Sequence, residues 1–347
     1  MQLNRMSYAI GAALVGVAAA LSTALPSAGG AQQAANGYTV PRTAWGDPDL
    51  TGKWPGTDMV GVPMQREERF GTRNVLTDEE FADRQQRAAR QAEQDNADFE
   101  LENAASTPGG DVGGAVSPPP HWLERGQPQR QASLIVDPPN GRMPEFTPQA
   151  QQRQADLRAF RQTRGPADSY TDRSNYDRCI TRGLAGSILP VIYNNGTQIF
   201  QAPGYVAIVN EMIHETRVVP LDGREHVASD IKMWLGDSRG HFEGDTLVVE
   251  TTNFTDRTGV GVNGGGQRHS EALKITERYT RVADDVIDYS MTVNDPETWT
   301  APWTMQFPLR RDDGYGMFEY ACHEGNLAMF HILSGARADE RAAARSR

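Results

Sequence analysis

Lysine is almost missing from this chain. Of 34 basic side chains in 347 residues only three are lysine, Lys53, Lys232 and Lys274, and the rest are arginine. The bias reads first as the coding habit of a GC-rich bacterial genome and second as a store of anion-binding groups. Positive charge is not in excess either: 45 acidic residues outweigh 34 basic ones, for a net charge of −11. Phosphate backbones need a clustered positive surface, so the balance argues against nucleic acid as a partner. No Gly-rich phosphate loop opens a helix, and no dinucleotide fingerprint follows a strand. The chain is therefore expected to need no cofactor. Apolar runs are scarce as well, with none of membrane length after the first thirty residues. Cysteine occurs twice, at Cys179 and Cys322.

What is present suits a folded protein. Hydrophobic residues make up 38%, and 34 glycines bring the apolar share close to the globular norm. The length allows one large or two smaller domains and a core that needs no structural metal.

Residues 1–31 read as a secretory signal peptide. Arg5 supplies the positive start, an apolar stretch runs from Ala9 to Leu25, and Gly29 and Ala31 offer the small residues of a cleavage point. Pro26 ends the stretch with no basic flank, which disfavours a membrane anchor. The mature chain is expected in a bacterial periplasm or secreted, with no membrane span after cleavage. In that oxidising compartment two cysteines are expected to pair, and the long loop they close would stabilise the fold by about 4–5 kcal/mol in the chain-entropy model. A reactive thiol is the alternative, and His323 beside Cys322 keeps it open.

Along residues 32–190 the pattern is an arm, two helices and a linker. Gly52-Lys53-Trp54 suits either an indole plugging the end of a barrel or an extended arm with a buried tryptophan. Thr77 and Glu80 form a capping box that starts a helix over 77–102, whose thin apolar stripe (Phe81, Ala88, Ala92, Phe99) marks it as a surface helix. Residues 106–120 are Gly- and Pro-rich and read as a flexible linker. A short strand is expected over 133–137. A second helix, capped by Thr147 with Pro148 at its first position, runs to about Gln162.

From residue 191 onward strands dominate. They are expected over 191–193, 197–201, 205–213, 217–220, 232–235, 246–252, 272–281, 286–293, 304–311 and 318–321, with turn formers between them. Short strands without intervening helices argue for an antiparallel barrel or sandwich. Alternation puts Ile287, Tyr289, Met291 and Val293 on one face. It also puts Glu277 among Leu273, Ile275 and Tyr279, so this acid must be paired or functional. Residues 336–347 read as a frayed helix or tail.

Few motifs carry chemistry. Gly236 to Gly240 matches G-x-S-x-G, but a hairpin follows where a nucleophile elbow needs a helix. His323-Glu324 begins a zinc-protease motif whose second histidine is absent, since Leu327 stands there; no metal is assigned. The segment 205–214 is more telling. Period two places either Glu211 or the pair Asn210 and His214 inside, and buried polar groups must be satisfied or functional. His214 is the candidate general base, Glu211 or Glu250 its orienting acid, and Arg239 or His323 the anion stabiliser. Tyr205, Trp303 and Tyr320 are candidate ligand contacts within a late aromatic cluster.

The segments WGDPDLTGKW, SLIVDPPNGRMP, DRCITRG, ILPVIYNNG, WLGDSRGHFEGDTLVVETTNF, ERYTRV and FEYACHEGN resemble a family of secreted bacterial proteins. The likeness covers nearly the whole mature chain and implies one structural unit, with Cys179 and Cys322 in distinctive segments. It implies no activity. The late region is lipocalin-like in pattern.

The expected fold is thus mainly β: an antiparallel lipocalin-like barrel over 191–335, with helical and irregular N-terminal segments around it. The expected function is action on a small hydrophobic or ring-containing molecule by a cofactor-free lyase, isomerase or hydrolase. A non-catalytic small-ligand carrier and a structural envelope protein are the alternatives. The oligomeric state stays open.

Overall fold

The computed structural model describes residues 37–95, 122–262 and 266–346. The expected signal peptide, the 106–120 linker and the end of the first helix past residue 95 lie outside them.

Among the described residues, twelve strands form mainly antiparallel sheets. The first is four-stranded, in the order β1 (Gly52–Lys53), β3 (Thr197–Ala202), β4 (Tyr205–Asn210), β5 (Thr216–Pro220). The second is six-stranded: β2 (Ile135–Asp137), β12 (Trp303–Arg310), β11 (Val286–Asn294), β10 (Lys274–Ala283), β7 (Thr246–Thr252), β6 (Asp237–Glu243). A small pair, β8 (Gly259–Val260) and β9 (Gln267–Arg268), stands apart. Among the described residues no ladder joins the two large sheets, so the strands do not close into a barrel. Strand β5 nevertheless lies against β6. Gly240 marks that seam, because a Cβ there would stand 2.8 Å from Leu221 Cδ2 and Val219 Cγ1.

The sheets bury their inner faces on each other. Ile199, Ile208 and Val219 from the smaller sheet share one core with Leu247, Ile275, Ile287, Met291 and Phe307 from the larger. The alternation read from the sequence holds: Ile287, Tyr289, Met291 and Val293 are all buried. Trp54 is fully buried in this core, its Nε1 donating to the Leu50 carbonyl at 2.8 Å. Its neighbours Gly52 and Lys53 form the edge strand β1, against Ile199 and Gln198. Strands β1 and β2, from before residue 191, thereby complete the two sheets. Pro308 sits on β12 beyond the reach of β2, where no ladder needs its missing N–H.

Glu277 has its partner. Arg217 from β5 reaches across to hold it bidentately (2.5 and 3.0 Å), and the hydroxyls of Tyr279 and Tyr289 donate to it at 2.8 and 2.9 Å. A buried charge is tolerated only when compensated in this way.

Among the described residues there are four α-helices: α1 (Asp78–Asp95), α2 (Pro148–Gln162) and α4 (Ala328–Arg345) are peripheral, whereas all of the short α3 (Gly183–Ile188) is buried, with Leu184, Ala185 and Ile188 in the main core. The α1 capping box forms, with the Thr77 amide donating to Glu80 and the Glu80 amide to Thr77 Oγ1. Thr147 caps α2 by accepting from the Ala150 amide at 3.1 Å. Neither α1 nor α4 buries a residue. Of the frayed helix or tail expected over 336–347, residues 336–345 belong to α4, which starts at Ala328.

Three expected strands are not strands. At 191–193, the Asn195 side chain takes both the amide and the carbonyl of Val191 and closes a loop instead. At 232–235 one bridge from Met233 to Phe254 is all that forms. Residues 318–321 have no neighbouring strand, and they form part of an exposed strap after β12. The expected 205–213 strand stops at Asn210, because Ile213 and His214 turn to positive φ (54° and 44°).

Candidate functional site

One corner of the four-stranded sheet gathers most of the polar chemistry. The loop 191–196 enters β3 there, and residues 211–215 leave β4 at the same end. The strap 315–326 crosses both and is tied to the body by the Cys179–Cys322 disulfide. Of the five non-glycine residues described with positive φ, four lie here: Cys179, Asn194, Ile213 and His214. A β-branched residue such as Ile213 resists that conformation, and backbone strain of this kind concentrates at working sites.

His214 is exposed, with its ring fixed. Its Nδ1 stands 2.9 Å from the Tyr320 carbonyl oxygen. A carbonyl can only accept, so Nδ1 carries the hydrogen and Nε2 keeps its lone pair.

Glu211 is buried but does not orient His214. Its oxygens accept from Asn194 Nδ2 (3.0 Å), the Phe318 amide (2.9 Å), the Gly196 amide (3.2 Å) and the Tyr315 hydroxyl (2.7 Å). Tyr315 also lies 2.8 Å from Glu124, which accepts from the amides of Asn194 and Asn195. One phenolic proton thus serves two carboxylates, and burial between them pushes the Tyr315 hydroxyl up strongly. Gly196 makes this approach possible. A Cβ there would fall 2.7 Å from Glu211 Oε2 and collide with Met317.

A second network lies under the strap. Tyr176 Oη is 2.6 Å from both Tyr193 Oη and Tyr320 Oη, and Arg182 Nη2 donates to Tyr193 at 3.1 Å. The Arg182 guanidinium lies over the Tyr176 ring, 4.1 Å from its centroid. Burial raises all three phenols, so they remain protonated donors.

Of the residues expected from the sequence, the corner brings together Glu211, His214, Tyr320, Cys179 and Cys322, with His323 on the exposed strap. The others lie elsewhere. Glu250 is on the outer face of β7, paired with Lys274 at 2.5 Å. Arg239 on β6 holds Asp237 at 2.6 Å, and His226 binds the same carboxylate. Tyr205 is at the far end of β4, beside Arg224. Trp303 is fully buried, edge-on to Trp299. Ser238 of the G-x-S-x-G segment is buried on β6, bonded to Thr251, within the β6–β7 hairpin.

Sequence reasoning missed Glu124, Tyr176, Arg182 and Tyr193, and had Tyr315 only as a member of the late aromatic cluster. A signal existed for three of them. Tyr176 and Arg182 flank Cys179 in or beside DRCITRG, and Tyr193 is in ILPVIYNNG. A shallow open depression of about 450 Å3 near Gln65, Met143, Phe146 and Gln267 is lined by none of the expected site residues.

Compared with known proteins, the chain matches no family model, no curated protein and no solved structure.

Proposed function

We propose that this is an exported, lipocalin-like protein of the secreted bacterial family it resembles, acting in the periplasm on a small hydrophobic or ring-containing molecule. The working site is the strapped corner rather than the space between the sheets, which side chains fill. The observation that carries the reading is the anchored imidazole of His214. A histidine whose Nδ1–H is held by a carbonyl presents Nε2 outward as a ready base, the arrangement general base catalysis requires. A cofactor-free lyase, isomerase or hydrolase can run on such a base, with neighbouring phenols as acids. Glu211 serves by holding the strap through Phe318 and Tyr315, not by touching the imidazole. The disulfide agrees with an oxidising compartment.

The test begins with native mass spectrometry of the protein isolated from its export compartment. An organic adduct is expected, and that compound is then offered back to the protein while its conversion is followed. His214→Ala should abolish conversion and keep the adduct. Conversion that survives in His214→Ala sinks the base assignment. An adduct without conversion in the wild type leaves the carrier reading.

A further inference from the structure

Arg182 is 1% exposed and has no carboxylate partner among the described residues. Its Nε and Nη1 are both buried without a hydrogen-bond partner. No other buried arginine described is left so incomplete. Arg217 has Glu277. Arg66 is met by Ser133 and by the carbonyls of Gly71, Pro139 and Ile135. Arg281 is met by the carbonyls of Asp49 and Asp284, which leave its Nε alone without a partner. The nearby Glu215 carboxylate is already taken by Thr181 and Ser187. A buried guanidinium with neither a counter-charge nor acceptors for two of its nitrogens is costly, so it calls for an anion.

The phenols sharpen the point. Tyr176 bonds both Tyr193 and Tyr320, and Tyr320 also interacts with Tyr193, so the three hydroxyl hydrogens are engaged among the phenols themselves. The donors left without an acceptor are the guanidinium Nε and Nη1. A water molecule could take some of these hydrogens but would leave the charge unmatched.

We propose that Arg182 and the Tyr176–Tyr193–Tyr320 cluster form a binding subsite for a monovalent anion, with the carboxylate of a small organic acid as the ligand class. The inference rests on the reading of the corner as a small-molecule site and names the group that site recognises. The carboxylate oxygens accept from the free guanidinium nitrogens Nε and Nη1, beside the phenols. Tyr320 belongs to the strap and links the anion site to His214 through its carbonyl.

The mature protein is titrated with sodium benzoate, and separately with sodium chloride, at constant ionic strength, by calorimetry and near-ultraviolet difference absorption of tyrosine. Saturable benzoate binding is expected, weakened by about tenfold or more in Arg182→Gln, as the loss of a charge-assisted hydrogen bond requires. Tyr193→Phe keeps the guanidinium and should weaken binding less, so the proposal stays testable if Arg182→Gln does not fold. Saturable chloride binding with the same Arg182 dependence supports the anion site with free halide as its source. No saturable binding of either anion to the wild type, or binding unchanged in both variants, overturns it. An organic adduct retained in full by Arg182→Gln overturns the anion subsite while leaving the corner as the small-molecule site. Loss of every adduct from the wild type, by contrast, counts against the corner itself.

Discussion

Asp288 is the side chain whose charge costs the fold most visibly. It lies on the outer face of β11, where burial pushes its carboxyl up to about 6 and the Gln306 amide is its one counterweight. The unfolded chain titrates this group near 4. The folded chain thus holds the proton more tightly, and stability falls as the pH rises from about 4 to about 6. Above that window the penalty is of order 1–2 kcal/mol after allowance for partial solvent contact. Asp288→Asn should raise the urea midpoint at pH 7.5 and change little at pH 3; equal effects at both would refute the assignment. Glu277 is the opposite case, a buried charge fully matched. Arg217→Met should cost about 3–5 kcal/mol by stranding the carboxylate. Replacing both partners, as Arg217→Met with Glu277→Leu, should cost less than the single change, which denaturation of the three proteins would show.

At the scale of elements, helix α2 is fastened at its start. The Thr147 hydroxyl accepts from the Ala150 amide and donates to the Glu297 carbonyl at 2.7 Å, joining the helix to the β11–β12 connection. Thr147→Ala should cost about 1–2 kcal/mol, and Thr147→Ser should recover most of it, in thermal unfolding. This helix was legible in the sequence to the residue, because cap, N-terminal proline and body are local signals. So was β7, and the β10–β11 hairpin was legible to within two residues, where alternation and turn residues agree. The failures at 191–193 and 318–321 share a cause. Both segments are rich in strand formers, but a strand needs a partner edge, and neither has one. The kink at Ile213 was equally invisible: period two has no way to announce a left-handed isoleucine imposed by its surroundings.

For the whole molecule, the disulfide closes a span of 143 residues and fixes the strap over the corner. Cys179→Ser with Cys322→Ser should lower stability by about 4–5 kcal/mol in the chain-entropy model. It should also expose residues 315–326 to limited proteolysis before the sheets unfold. The wild-type mass should lie two daltons below that of its fully reduced form. The sheets have their own shared core and keep the Arg217–Glu277 link, so circular dichroism of the variant should retain the β signal.

The sequence alone determined the strand-rich character, the hairpins, the helix caps, the inward face of β11, the need of Glu277 for a partner, and the pairing of the only two cysteines. Each depends on near neighbours, on two-residue periodicity, or on an even count. Tertiary structure decided the rest. It left the sheets unclosed, placed β1 and β2 at their edges, sent Glu250 and Arg239 away from His214, and drew Arg182, three tyrosines and the Glu124–Tyr315–Glu211 contact to one corner. The contacting pair Glu124 and Tyr315 alone lies 191 positions apart along the chain. No local pattern encodes such distances; they are set by which apolar faces pack and by the carboxylates and phenols that packing leaves to satisfy one another.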